Sequence, residues 1–355
     1  MLKNKKIVMF LVNSGNYSGA EQINLKIILS LRELYKFYYV SESGVIDTYL
    51  KKNQIEHIII NKMNILALKN IEKQYHPDLF HATDYRVSVL CACANLKTPF
   101  ISHLHNNPLW IKKFHPYTFA YLFAALKSEY VLTVSESIEK EYIFSKIVRK
   151  KIICISNPVC CRDILKYYVQ DQEKSFDLCF TGRFADQKNP LFFLNIVKRL
   201  KKKYPKLKAV MIGDGELRSV VEKQIEKYNL SNSIVLTGFQ KNPYLFMGKS
   251  KIFFMPSKYE GYGLVFFEAL TLGLPCVASD VGGIPSIVTE KCGFLCKKPS
   301  DYLKGIEVLL NDNELYQKYS GEARKRALQI ENHSEYMKNM EHFYRRILER
   351  KVQDG

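Results

Sequence analysis

Short apolar runs alternate with segments of helical period along most of the chain. In the first half such runs stand at residues 7–12, 37–41, 57–60, 78–81, 100–103, 130–134 and 152–155, and they read as strands buried on both faces. Helical patterns lie between them, for example at 21–34 and 85–96. A polar stretch at 162–175, containing Gln170-Asp171-Gln172-Glu173-Lys174, predicts a linker. The alternation then restarts with runs at 177–181, 207–212, 234–237, 252–255 and 276–279. Pro190, Pro243 and Pro285 fall near predicted helix starts, where a missing N–H costs nothing. Beyond Asp301 the pattern is helical only.

Strand–helix alternation of this kind means a parallel sheet covered on both faces. The predicted class is α/β, with two Rossmann-like, doubly wound domains facing a deep cleft and helices at the C-terminus. The expected divisions are 1–165, 166–335 and a final helix at 336–355 that packs back on the first domain. The length of 355 residues agrees, since single cores stop growing near about 250–300 residues. In such sheets ligands bind beyond the carboxyl ends of the strands, so functional residues are sought just after each strand.

Charge narrows the partners. The chain carries 53 basic and 35 acidic residues, a formal net charge of +18. That surplus suits nucleic acid, an anionic membrane or phosphorylated substrates. The cations are dispersed, and the densest run, Lys198-Arg199-Leu200-Lys201-Lys202-Lys203, closes a predicted helix, where cations are favoured. A nucleic-acid reader needs a focused stripe, so nucleic acid is not an expected partner. The nine cysteines include no Cys-x-x-Cys pair, and several, such as Cys179 and Cys276, lie in apolar runs. They read as buried small hydrophobes in a reducing compartment, without a zinc site. The apolar run after Met1-Leu2-Lys3-Asn4-Lys5-Lys6 is too short for a signal peptide. No run reaches the roughly 18 residues of a membrane span. The expected location is the cytoplasm, at the inner face of the plasma membrane.

Five post-strand segments carry candidate chemistry. The strongest is Glu260-Gly261-Tyr262-Gly263-Leu264-Val265-Phe266-Phe267-Glu268. Its glycines let backbone approach a ligand, and a helix opening near Gly263 would aim free N–H groups at a phosphate or sugar oxygen. Glu260 and Glu268 would offer two carboxylates to one ligand. The second is Gly182-Arg183-Phe184-Ala185-Asp186-Gln187-Lys188-Asn189-Pro190, where Arg183 and Lys188 could neutralise a leaving diphosphate. The third, Ile212-Gly213-Asp214-Gly215-Glu216, reads as a tight turn with an acidic helix start rather than a metal pair. The fourth, Asn13 to Glu21, bears glycines before a helix but lacks the Gly-x-Gly-x-x-Gly spacing of a dinucleotide site. The fifth, Ser102-His103-Leu104-His105-Asn106, places two histidines at a strand end. A sixth stretch, 110–127, mixes apolar and basic residues, and reads either as a surface resting on an anionic membrane or as a buried helix.

Taken in order, Gly182-Arg183 with Lys188-Asn189-Pro190, Ile212 to Glu216, Glu260-x7-Glu268 and Asp280-Val281-Gly282-Gly283-Ile284-Pro285 resemble the family-four retaining glycosyltransferases of GT-B fold. Many members build bacterial capsule, lipopolysaccharide or exopolysaccharide. The resemblance implies transfer of a sugar from a nucleotide-diphosphate donor, a UDP-sugar, to a glycan or lipid-linked glycan. It implies that Arg183 and Lys188 hold the diphosphate, with Gly182 and Gly213 in the same strand-end motifs. Glu268 would bond the ribose. Glu260 would meet the sugar hydroxyls, with backbone amides of Tyr262, Gly263 and Leu264. Phe239, in Thr237-Gly238-Phe239-Gln240, would lie at the nucleobase. Gly19 would approach the diphosphate from the first domain, and His105 would lie beside the transferred sugar, with His103 the alternative. No metal or other cofactor is expected, since the two cations would do its electrostatic work. Two departures stand out: Ser18-Gly19-Ala20-Glu21 where the family has Gly-Gly-x-Glu, and Asn157-Pro158-Val159 where it has Asn-Gly-Val. With no second convincing carboxylate expected near His105, retention would proceed without a protein nucleophile. The alternatives are a non-catalytic nucleotide-sugar binder, or an epimerase or phosphorylase of the same fold.

Overall fold

A computed structural model describes residues 5–168 and 173–353. Residues 1–4, which begin the basic N-terminal segment, and 169–172, in the middle of the expected linker, lie outside the described residues. The chain forms two units: Met1–Pro158 with Asn332–Gly355, and Val159–Glu331.

The first unit holds seven strands: β1 (Ile7–Leu11), β2 (Lys36–Ser41), β3 (Glu56–Ile59), β4 (Leu79–Thr83), β5 (Phe100–Leu104), β6 (Val131–Thr133) and β7 (Ile152–Cys154). They pair in parallel in the order β3-β2-β1-β4-β5-β6-β7. Helices Gly19–Leu31 and Tyr85–Ala94 start close to where the pattern put them and stop a little sooner. Helix Pro116–Lys127 buries Thr118, Tyr121, Ala124 and Ala125. Its other face leaves Phe119, Phe123 and Leu126 exposed, so the buried-helix reading of this stretch holds for one side only.

The second unit holds β8 (Phe176–Thr181), β9 (Ala209–Ile212), β10 (Ile234–Gly238), β11 (Ser250–Met255), β12 (Cys276–Ser279) and β13 (Gly293–Cys296). Their order is β10-β9-β8-β11-β12-β13, again all parallel. Strand β13 escaped the sequence pattern. It is a four-residue edge strand that opens on Gly293 and is buried only at its two ends, so it lacks the long apolar run of a central strand. Phe180, Phe193, Phe253 and Phe254 fill the core around the central strands.

The boundary at 158/159 falls before the expected 165/166. Helix Cys161–Leu165 buries Cys161 and Ile164, and the Cys161 Sγ accepts from the Thr271 hydroxyl at 3.7 Å. These apolar side chains tie a segment that looked like the start of a linker to the second unit. Helix His333–Gln353 belongs to the first unit from its start, because Tyr336, Met340, Tyr344 and Ile347 are buried. The cysteine expectation needs correction at three positions: Cys93 and Cys154 are exposed and Cys160 is half-buried, whereas Cys179 and Cys276 are buried as expected. Among the described residues no helix is long and apolar enough to cross a membrane.

In each sheet the strand order reverses once, between β1 and β4 and between β8 and β11. At such a point the loops leaving two neighbouring strands diverge to opposite faces and open a crevice at the carboxyl ends. The loops after β8 and β11 carry Gly182, Arg183, Lys188 and Glu260, and the loop after β1 leads to Gly19; Gly213, Phe239 and His105 follow β9, β10 and β5.

Candidate active site

In the second unit the loop after β8 and the loop after β11 meet. Lys188 Nζ lies 2.6 Å and 2.8 Å from the two carboxylate oxygens of Glu260. The side chains are 16% and 8% exposed, so this is a largely buried ion pair. Gln187 joins them, donating from Nε2 to Glu260 at 3.3 Å and to the Tyr259 carbonyl at 3.1 Å. The Lys258 N–H donates to the Gln187 carbonyl at 2.8 Å, and the Lys258 ammonium pairs with Asp186. The Glu260 carbonyl is held in turn by the Gly283 N–H at 3.2 Å. Withdrawing two charges from water costs several kcal/mol, so such a pair is a poor way to stabilise a fold. A lysine and a glutamate held this way are better suited to changing partners when a charged ligand arrives.

Gly263 precedes helix Leu264–Thr271 with φ +92°. A side chain there would be strained, and its Cβ would lie 2.9 Å from the Phe266 ring and 3.2 Å from Glu260 Cγ. The glycine therefore lets the helix begin directly beside Glu260, with the Phe266 N–H taken by the Gly263 carbonyl at 2.9 Å and the earlier first-turn N–H groups lacking intrahelical acceptors. Leu264 is the first helical residue, Tyr262 is buried, and Glu268 is half-buried one turn further on. Gly213, at φ +137°, packs against the Gly182 carbonyl, where a Cβ would come within 2.0 Å. Both glycines are thus accounted for by the close approach of the β8 and β9 ends, before any ligand is considered.

Arg183 leaves the Lys188–Glu260 cluster. Its Nε donates to Glu216 at 2.9 Å, with both side chains more than half exposed. Glu216 is therefore a partner for Arg183 rather than half of a metal pair, and Asp214 caps its own turn through the Gly215 N–H at 2.7 Å. Phe239 follows Gly238 at the end of β10 and is 59% exposed, leaving a ring face open.

In the first unit Gly19 opens helix Gly19–Leu31 behind Ser18. The Glu21 carboxylate reaches back to the Ser18 N–H at 2.8 Å, so this motif works as a helix cap. The Asn24 amide donates to Thr83 at 3.0 Å and ties that helix to the end of β4. His105 follows β5 directly and is 8% exposed, and neither ring nitrogen has a hydrogen-bond partner among the described residues. Burial pushes its pKa down to about 3, so the ring is neutral. His103, inside β5, is fully buried with Nδ1 bonded to His81 and Nε2 unpartnered.

Sequence reasoning missed three participants. Gln187, between Asp186 and Lys188, was given no role. His81 looked like the end of a strand. The third is Asp84. It closes β4, the strand neighbouring β5, and its N–H donates to the His103 carbonyl at 2.8 Å. Its backbone sits at φ +76° and ψ 164°, a region nearly reserved for glycine and found mostly at functional sites. Burial is the largest influence on its carboxyl and raises it to about 6. A glycine would have marked the turn, but an aspartate held there by the Tyr85 N–H gives no local sign in the sequence. A separate hollow of about 800 Å³, lined by Lys6, Arg32, Lys36 and Asp78 among others, opens at the amino ends of β1, β2 and β4, away from these groups.

Two family models divide the chain. That of Glycosyl transferases group 1 matches residues 167–326, and that of Glycosyltransferase Family 4 matches 42–162. An uncharacterised glycosyltransferase of Methanocaldococcus jannaschii is 30% identical over 277 residues, 75% of this chain and 74% of the relative. A second from the same organism is 30% identical over 233 residues, 59% of this chain and only 57% of that relative. The crystal structure of Anabaena HepE in complex with UDP-glucose superposes with a TM-score of 0.83 at 19% identity, over 95% of this chain and 99% of that one. With paired parallel sheets, the ordered motifs and these matches, the chain belongs to the family-four glycosyltransferases and has the GT-B fold.

Proposed function

We propose that the protein moves a sugar from a UDP-sugar to a lipid-linked glycan of a bacterial cell surface, with retention of configuration and without a metal ion. The observation that carries this reading is the Lys188–Glu260 pair, set on two neighbouring loops at the switch point of the second sheet beside a helix start. When the donor binds, its diphosphate takes the Lys188 ammonium, and the released Glu260 carboxylate accepts from the sugar hydroxyls. Arg183 turns from Glu216 to the same diphosphate. The Tyr262, Gly263 and Leu264 amides meet the sugar, Glu268 the ribose and Phe239 the base, while Gly182 and Gly213 form the floor. On the first unit, Gly19 and His105 are the proposed contacts to diphosphate and sugar.

Cleavage of the bond between C1 and the phosphate oxygen places negative charge on the departing diphosphate. Lys188 and Arg183 stabilise that charge more in the transition state than in the ground state. The acceptor oxygen bonds to C1 on the face the diphosphate leaves, and its proton passes to the leaving phosphate oxygen. The UDP-glucose complex of the structural neighbour supports the donor class. The lipid-linked acceptor draws support from residues 109–127 and 144–151, which contain no carboxylate. There Phe114 is 80% exposed, its ring 6.3 Å from Phe119 and 6.0 Å from Phe144, and a carboxylate that reaches the stretch, Glu141, pairs with Lys112. Such a surface fits the headgroup region of an anionic membrane.

A thermal-shift screen of nucleoside diphosphates and their sugars tests the donor, because ligands that bind the native state raise its melting temperature. UDP should shift it and labelled UDP-sugar should be consumed, with EDTA making no difference. Absence of any nucleotide shift removes the reading. The anomeric NMR coupling of the product decides retention.

A further inference from the structure

The sugar-transfer reading uses His105 and leaves three buried side chains behind it unused. Tyr344, from helix His333–Gln353, places its hydroxyl 2.8 Å from His81 Nδ1. On the other edge of that ring, His81 Nε2 lies 3.0 Å from His103 Nδ1. The His103 ring then packs against His105, with centroids 4.1 Å apart. Tyr344, His81 and His103 are each 0% exposed, and among the described residues no charged side chain hydrogen-bonds to any of them.

Their chemistry sets the direction of the row. Burial keeps all three imidazoles neutral, with His103 held well below its ordinary range. A neutral imidazole has one donor and one acceptor. If Tyr344 donates to His81 Nδ1, His81 must donate from Nε2 to His103 Nδ1, and His103 ends the row with Nε2–H. Each order leaves one donor and one acceptor unmade at the ends of the row. The first leaves the His103 Nε2–H and the phenol oxygen, a weak acceptor; the second leaves the phenol proton, a strong donor, and the bare His103 Nε2, a strong acceptor. Because an unmade buried group costs more the more strongly it bonds, the order that starts from the tyrosine proton wins.

We propose that Tyr344, His81 and His103 are positioning residues for His105: the tyrosine hydroxyl fixes both inner histidines as Nε2–H tautomers, and the immobilised His103 ring fixes the plane of His105, whose two unpartnered nitrogens meet the substrate. The functional half of this rests on His105 serving the glycosyltransferase reaction; the tautomer half does not.

Long-range ¹H–¹⁵N spectra of the full chain labelled in histidine read the tautomers directly. His81 and His103 should show protonated Nε2 and bare Nδ1, unchanged between about pH 5.5 and 8.5. Protonated Nδ1 on His103 overturns the proposal, and the wild-type spectrum is enough to reveal it. Tyr344→Phe should mix the tautomers of His81; an unaltered spectrum also overturns it. In turnover of a UDP-sugar, Tyr344→Phe should lower kcat roughly 10-fold, the scale of losing an orienting partner. KM for the donor should stay put, and the loss should vanish in a His105→Ala background. Additive losses in the double variant would mark Tyr344 as merely structural and sink the relay. A wild-type protein inert toward every nucleotide sugar would instead remove the transferase reading, while the spectra still judge the row.

Discussion

The two units prepare polar groups for a ligand in opposite ways. The second unit concentrates ions: Lys188 with Glu260, Arg183 with Glu216 and Lys258 with Asp186, all on loops after strands. The first unit, at the same ends of its sheet, buries neutral imidazoles in a row with a tyrosine and places no ion pair among them. Ions can be stored beside each other because each discharges the other until a ligand replaces one of them. Imidazoles buried without counter-ions must instead be kept uncharged, and their value is direction. On the proposed reading a diphosphate would call for charge and a sugar ring for hydrogen bonds of fixed sense, and the contrast would match those needs.

The comparison can be broken most forcefully at Lys188. Lys188→Met should reduce sugar transfer roughly 10²–10³-fold, the range for losing one donor to a developing anion. It also leaves Glu260 buried without its cation, at a cost of about 3 kcal/mol or more. Adding Glu260→Gln should recover the melting temperature and leave transfer low. Recovery of both would make the pair structural. A smaller effect tests the neutral row. Unfolded histidines ionise near about pH 6.5, whereas burial takes His81 and His105 down to about 3. Between those values the unfolded chain binds more protons, so stability is present above pH 6.5 and is lost as the pH falls. From pH 7.5 to 5.5 each such histidine should cost roughly 1 kcal/mol. Urea unfolding at the two pH values measures it, and His105→Ala should shrink the drop by its share. Next, Glu260→Gln alone frees the Lys188 ammonium, so calorimetric affinity for UDP should rise by up to about tenfold while transfer slows. Tighter binding would sharpen the view of the pair as a stored site; weaker binding would refute it. The smallest effect belongs to Arg183→Gln, whose exposed pair with Glu216 should change unfolding free energy by under about 1 kcal/mol. On the membrane side, Phe114→Ser with Phe119→Ser should abolish flotation with anionic vesicles, and flotation at wild-type level would dismiss that surface.

Local pattern explains what was legible in the sequence. The central strands announce themselves as apolar runs because they are buried on both faces, and the loops that follow them carry Lys188 and Glu260 in plain view. Strand β13 stayed hidden since an edge strand of four residues needs no such run. What sequence alone could not reach depends on partners far along the chain. Arg183 looked like a free cation until Glu216 was placed beside it. The positive φ of Asp84 leaves no trace in the sequence, because the residue is not glycine. His81 gained meaning only from Tyr344, which is 263 positions away.

That separation bears on how the molecule is made. Residues 159–331 form one uninterrupted unit, while the unit around His105 is interrupted by all of it and regains its last helix from Asn332 onward. On the ribosome the inserted unit is complete before the other can be. The nascent seven-stranded sheet must wait with the surface destined for Tyr336, Met340 and Tyr344 uncovered until residues 333–353 have been made. A chain that stopped before residue 333 would therefore carry a finished second unit and an unfinished histidine row.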